Sequence, residues 1–216
     1  MPQLRPYDRE AAVLYAHQWA YGRNPLFYDY ETLGGDCTNF ASQCIYAGSG
    51  IMNFTPTYGW YYIDTNQKAP AWTGVPYLYN FLARSNHSVG PMGKPCGLEE
   101  LMPGDLIQLS FKGEGFQHSP IVVSVGSPAT PENILLAAHS YDADNRPLAT
   151  YEYRNIRMLH IFGVPLKILF NLKGIQTGVR QNGGLLNFVS MKADSTFYRI
   201  AFTLFRVFFF FALFDT

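Results

Sequence analysis

Apolar residues recur at helical spacing up to residue 48 and in strand-like runs after residue 103. That change of period restricts the chain to folds in which helices come first and a sheet follows. From Tyr7 to Gly22, Ala12, Tyr15, Ala16, Trp19 and Ala20 fall on one helical face, and Gly22 ends the pattern. Asn24, Pro25, Asp29 and the Gly34-Gly35-Asp36 turn break the periodicity. A second helix starts near Cys37, with Phe40, Ala41, Cys44, Ile45 and Ala47 as its apolar face and Gly48 as its expected stop.

Residues 51–75 are aromatic and turn-rich, and residues 76–84 (PYLYNFLAR) read as a short helix with proline in its first turn. Pro103-Gly104-Asp105 is a turn that launches the strand LIQLSF, and GEGFQ separates it from HSPIVVSVG, which reads as a β-hairpin. NILLAAHS and NIRMLHIFGV are further strands, separated by YDADNRPL, a polar turn. The expected class is α+β, with N-terminal helices packed on an antiparallel sheet. The length suits one domain, placed at residues 1–165, followed by an extension over 166–216.

The extension has a different character. Residues 197–214 are almost wholly aromatic and aliphatic but carry Arg199 and Arg206, which suits an interfacial helix better than a span. Three readings stand: a docked helix or strand, a membrane-surface segment, or a stretch foreign to the domain. Zero formal net charge gives no global field for phosphates, so nucleic acid is not expected as a partner. No CxxC or HExxH occurs, so neither a metal nor another cofactor is expected. The N-terminus shows no apolar signal region. Cytoplasmic residence is therefore expected, with secretion or cell-wall association as the alternative.

Three cysteines are too few for a disulfide framework, and their odd number leaves at least one thiol free. Cys44 and Cys96 read as small core residues. Cys37 is different, because it follows two glycines and opens a helix, where the partial positive charge of the N-terminus favours a thiolate. The unpaired N–H groups there, including that of Cys37, can face a developing oxyanion. Asp36 is the expected N-cap, and Asn39 is a candidate for oxyanion or N-cap support, although a structural role is favoured for it and for Gln43. His118 opens a strand directly after a glycine-containing turn, where it can project as a general base. His139 ends the run ILLAAH and is the candidate that hydrogen-bonds the His118 ring and fixes its tautomer. Asp142 or Asp144 could orient His118 instead. Trp60 and Trp72 are candidate substrate-binding residues, with the core as the competing assignment.

DCTNFASQC (36–44), Trp60, PGDLIQL (103–109), HSPIVV (118–123) and AHSYD (138–142) resemble, in this order, the putative amidase domain of bacteria, distantly related to the NlpC/P60 and CHAP cysteine hydrolases. The resemblance covers roughly residues 7–163. It implies a papain-like fold, Cys37 as nucleophile, His118 as base and a third polar residue that best matches His139. The implied reaction is hydrolysis of a peptide or other amide through a thioester acyl-enzyme, with peptidoglycan peptides the usual substrate expectation. Two alternatives use the same fold: a non-catalytic module binding a peptide or glycan, and an acyl transferase of the transpeptidase or transglutaminase kind.

Overall fold

The structure, a computed structural model, describes residues 3–84, 86 and 88–166. Beyond Leu166, the expectations for the C-terminal extension, including its membrane-surface reading, lie outside the described residues. The elements are β1 (Gln3–Arg5), α1 (Arg9–Trp19), α2 (Cys37–Ser49), α3 (Pro70–Thr73), α4 (Val75–Ala83), β2 (Met92–Pro95), β3 (Leu106–Ser110), β4 (Ile121–Val125), β5 (Ile134–Ala138), β6 (Ala143–Pro147) and β7 (Asn155–Leu166). The class is α+β, and every strand pairing among the described residues is antiparallel. The sheet runs β1-β7-β3-β4-β5-β6, with β2 also paired to β7.

Helix α1 starts where the Asp8 carboxylate accepts a hydrogen bond from the Ala11 amide at 3.0 Å, a cap that satisfies one of the first-turn donors. Its inner face is alanine at 12, 16 and 20, all fully buried, and these small side chains let α2 approach closely. Gly48 completes the approach: a Cβ there would lie 2.4 Å from the Tyr7 ring and 2.5 Å from the Asp8 carbonyl. Gly48 is therefore a contact point and not the expected stop. The helix runs on to Ser49 and ends at Gly50, which adopts φ 63° and donates its N–H to the Tyr46 carbonyl.

Helix α2 lies between α1, α3 and the sheet, and 11 of its 13 residues are buried. A helix enclosed on almost every side must satisfy its polar side chains inside the protein, which is why Ser42, Asn39 and Gln43 have internal partners. The helix side of the sheet presents Leu106, Ile121, Val123, Ala137, Leu159 and Ile161 to this layer. The opposite side carries a second apolar cluster of Ile107, Leu109, Val122, Ile134 and Leu136, covered by Leu101, Leu148 and Tyr151.

The Pro103-Gly104-Asp105 turn is tied to both layers. Fully buried Asp105 accepts from Arg9 of α1 at 2.8 Å, from the Ile161 amide of β7 at 2.9 Å and from the Met102 amide at 2.8 Å. Residues 141–148, expected as a turn, instead contain β6, which pairs with β5 from Ala138↔Ala143 to Leu135↔Pro147. Backbone pairing along the β5 edge needs no apolar side chains on a half-exposed outer strand, so composition concealed it. The turn shrinks to a tight reversal in which Ser140 and Tyr141 both take positive φ, 56° and 75°.

Candidate active site

Cys37 is the first residue of α2, and its side chain is buried at 7 % exposure. Asp36 stands at the N-cap position, as expected, but its side chain does not cap the helix. One oxygen accepts instead from the Tyr30 amide and the Asn39 side-chain amide, each at 2.9 Å. First-turn N–H groups of α2 thus have no side-chain acceptor from the N-cap.

The other Asp36 oxygen meets His139 Nδ1 at 2.5 Å, and His139 Nε2 lies 2.8 Å from the Trp19 carbonyl. A carbonyl only accepts, so Nε2 carries a hydrogen, and Nδ1 is the nitrogen that faces the carboxyl group. The ring also stacks on Phe40 with centroids 4.0 Å apart. Both nitrogens are therefore committed, and the expected hydrogen bond from His139 to the His118 ring is not formed. Nor do the alternatives reach His118: Asp142 pairs with Arg23 and Asp144 with His17. His139 braces the loop that delivers Cys37.

His118 belongs to an irregular approach to β4. The amides of Gln117 and His118 both donate to the Leu109 carbonyl, at 2.9 and 3.3 Å, and the Leu109 amide returns a bond to the His118 carbonyl. Pairing with Leu109 puts the His118 side chain on the sheet face away from the helices. There the ring packs against Phe111 and Tyr151, with centroids 5.9 and 5.8 Å away. Burial, aided by the nearby Arg146 cation, pushes its pKa down to about 4, so the ring is neutral near pH 7.

The expected thiol–imidazole hydrogen bond is not formed either. The Cys37 sulfur instead rests against the peptide groups on either side of His118, 3.8 Å from the Gln117 carbonyl oxygen and close to the Ser119 amide. Burial pushes the thiol pKa up, and the Asp36 carboxylate acts in the same direction. The Thr38 hydroxyl and the amides of Ser119 and Thr38 oppose them. At rest, Cys37 is a protonated thiol beside a neutral histidine.

Four polar residues the sequence reading passed over form a chain that leads away from this sulfur. Thr38 Oγ1 is 3.8 Å from it and 3.1 Å from Ser119 Oγ, Ser119 accepts from Gln108, and Gln108 accepts from Arg157. A signal was present in the sequence: Thr38 and Ser119 directly follow the two residues singled out, and Gln108 interrupts an otherwise apolar strand.

Asn39 cannot serve an oxyanion. Its Nδ2 donates to the Tyr28 carbonyl and to Asp36, and its Oδ1 accepts from Trp72 Nε1 at 2.8 Å. Trp60 and Trp72 are both fully buried and do not line an open binding surface. Trp60 Nε1 donates to Ser42, Ser42 donates to the Trp72 carbonyl, and the two indoles pack with centroids 5.0 Å apart. Large aromatic rings between a buried helix and its loop go to the core because they bury the most apolar area. Among the described residues no group of His, Cys, Asp or Glu side chains is arranged to hold a metal. No described helix is long and apolar enough to cross a membrane.

The described domain is α+β, with a cysteine at the start of an enclosed helix and a histidine ahead of the adjoining strand. The chain belongs to the family described as "Putative amidase domain", which matches residues 6–162. It is 34 % identical over 142 residues to the uncharacterized protein YhbB of Bacillus subtilis (strain 168), an alignment covering 65 % of this chain and 43 % of that protein. The chain thus spans less than half the length of that curated relative. No solved structure matches it.

Proposed function

We propose that the domain is a cysteine-nucleophile amide hydrolase of papain-like type, related to the NlpC/P60 and CHAP hydrolases, with peptidoglycan peptides as the substrate class. The observation that carries this reading is the contact of the Cys37 sulfur, in the first turn of α2, with the backbone on both sides of His118. Nucleophile and base are thereby anchored to the same few atoms of backbone. For proton transfer the imidazole must leave Phe111 and Tyr151 and come to the Cys37 side of this backbone, a rearrangement the reaction requires of residues 117–119.

In the reaction, neutral His118 takes the Cys37 proton and the thiolate attacks the amide carbonyl carbon. The oxyanion lies against the uncapped N–H groups of α2. Imidazolium then protonates the departing amine as the C–N bond breaks, leaving a thioester on Cys37. His118 next takes a proton from water, hydroxide adds to the thioester, and the carboxylic acid leaves as the thiol is restored. A histidine held neutral suits the first of these steps, since only the unprotonated ring accepts a proton.

One observation favours a second reading, a non-catalytic module that holds a peptide or glycan: at rest the thiol is buried and makes no bond to imidazole. Incubation of the purified chain with peptidoglycan stem peptides, with products read by mass spectrometry, separates the two. Hydrolysis that disappears in Cys37→Ala and in His118→Ala supports the enzyme, whereas peptide binding without turnover, unchanged in Cys37→Ala, supports the module.

A further inference from the structure

We infer that Arg157, Gln108, Ser119 and Thr38 form a chain of hydrogen bonds that ends on the Cys37 sulfur and turns into a one-way chain of donors that stabilises the thiolate once the thiol loses its proton. This rests on the reading of Cys37 as a nucleophile. The chain begins at Arg157 on β7, whose guanidinium carbon lies 3.7 Å from the centre of the Tyr79 ring and 4.1 Å from that of Phe116. Its Nε and Nη2 both donate to Gln108 Oε1, at 2.8 and 2.5 Å.

Arginine has hydrogens to give and no lone pair to accept with, so Arg157 decides which end of the Gln108 amide is oxygen. The Gln108 nitrogen then points the other way, and its two hydrogens go to the Val75 carbonyl at 2.8 Å and to Ser119 Oγ at 3.0 Å. Ser119 must accept that bond. Its hydroxyl lies 3.1 Å from Thr38 Oγ1, and Thr38 Oγ1 lies 3.8 Å from the Cys37 sulfur. Gln108, Ser119 and Thr38 are each at most 1 % exposed, out of contact with bulk solvent.

Counting hydrogens gives the direction. The two hydroxyls share one bond between them, Ser119 is already an acceptor from Gln108, and so one hydroxyl hydrogen is left over. While the thiol is protonated, Thr38 donates to Ser119 and the S–H can donate to Thr38 or to the Gln117 carbonyl. When the sulfur loses its hydrogen it only accepts. Both hydroxyls then turn over: Ser119 donates to Thr38, and Thr38 donates to the sulfur. Every bond from the guanidinium onward now runs toward the negative charge, and bonds aligned in this way polarise one another.

Other charges also face the sulfur. Asp36 adjoins it in the sequence and opposes ionisation, and Asp36 is in turn paired with His139 and lies 3.9 Å from Arg23 Nε. His118, on the approach to β4, is neutral near pH 7. None of these supplies the stabilisation that Thr38 is placed to give.

The test is the iodoacetamide alkylation rate of Cys37 against pH, with the label located by mass spectrometry and the fold checked by circular dichroism. Thr38→Val, which keeps the shape and removes the hydroxyl, should raise the midpoint by about one to two pH units and slow labelling at pH 7 about tenfold or more. The alkaline plateau should stay unchanged and Thr38→Ser should restore the midpoint. Arg157→Gln should move the midpoint upward by less. If Thr38→Val does not fold, Thr38→Ala removes the same hydroxyl and gives the same readout. A wild-type midpoint in Thr38→Val, or in that substitute, overturns the inference, as does a fall confined to the plateau, which reports access and not charge. Failure of the hydrolase reading shows separately, as stem-peptide binding without turnover that is unchanged in Cys37→Ala.

Discussion

Asp36 and His139 meet at 2.5 Å with both side chains only 1 % exposed, 103 residues apart in the chain. This pair fixes the loop that enters α2 to the end of β5, and the Trp19 carbonyl and the Phe40 ring hold the imidazole from its other sides. Removing one partner leaves the other buried without compensation, so His139→Ala should cost about 3–5 kcal/mol of unfolding free energy. Urea denaturation of His139→Ala, Asp36→Asn and the double variant measures it. Additive losses would mean that the two side chains act independently.

His118 makes stability depend on pH. Its folded pKa, about 4 through burial and the Arg146 charge, lies below its value of about 6.5 in an unfolded chain. Between those two values the unfolded state binds a proton that the folded state refuses, so unfolding becomes easier as pH falls through this window. The full effect is on the order of 3 kcal/mol, complete below pH 4 and absent above pH 7. Urea midpoints for wild type and His118→Phe across pH 4–7 should diverge, the variant having the flatter curve. Parallel curves would show that the ring is not held neutral.

Trp72 is a core residue whose indole N–H satisfies Asn39. Trp72→Phe should therefore lower stability by about 1–3 kcal/mol, because the Asn39 oxygen loses its donor. A residue that gripped substrate would behave otherwise, raising KM while leaving the urea midpoint in place.

Gly35 sits at φ +105°, and a Cβ there would come within 3.0 Å of Ser140 Oγ, the hydroxyl that accepts from the Asp36 amide at 2.8 Å. Gly35→Ala should cost roughly 1–3 kcal/mol, from backbone strain and the weakened Ser140 contact. Ser140→Gly in the same background should recover part of the loss, read as the thermal midpoint. No recovery would place the whole cost in the backbone conformation.

Strong periodicity made α1, α2, β3, β4, β5 and β7 legible, together with the α+β class and the place of Cys37 at a helix start. Less of the rest was written in local sequence. β1 and β2 are three- and four-residue strands, too short for a pattern to register. The face taken by His118 depends on its pairing with Leu109 through an irregular ladder, and one residue of register reverses a side chain's direction. His139 looked like an orienting residue because polar residues near a catalytic centre often are. Its partner was decided by a contact made 103 residues away, which no spacing rule encodes. Trp60 and Trp72 stood in the sequence as either core or substrate platform, and their ring area went to the core beside α2.

Strand β7 is the last described strand in chain order, yet it joins β1, β2 and β3 within the one sheet. During synthesis, the seam between the earliest strand and the later hairpin cannot close until residue 166 has left the ribosome. Until then β3 and the first residues of the chain carry unpaired edges, open to any other extended chain. A chaperone that shields strand edges would therefore act on this domain before residue 166 emerges.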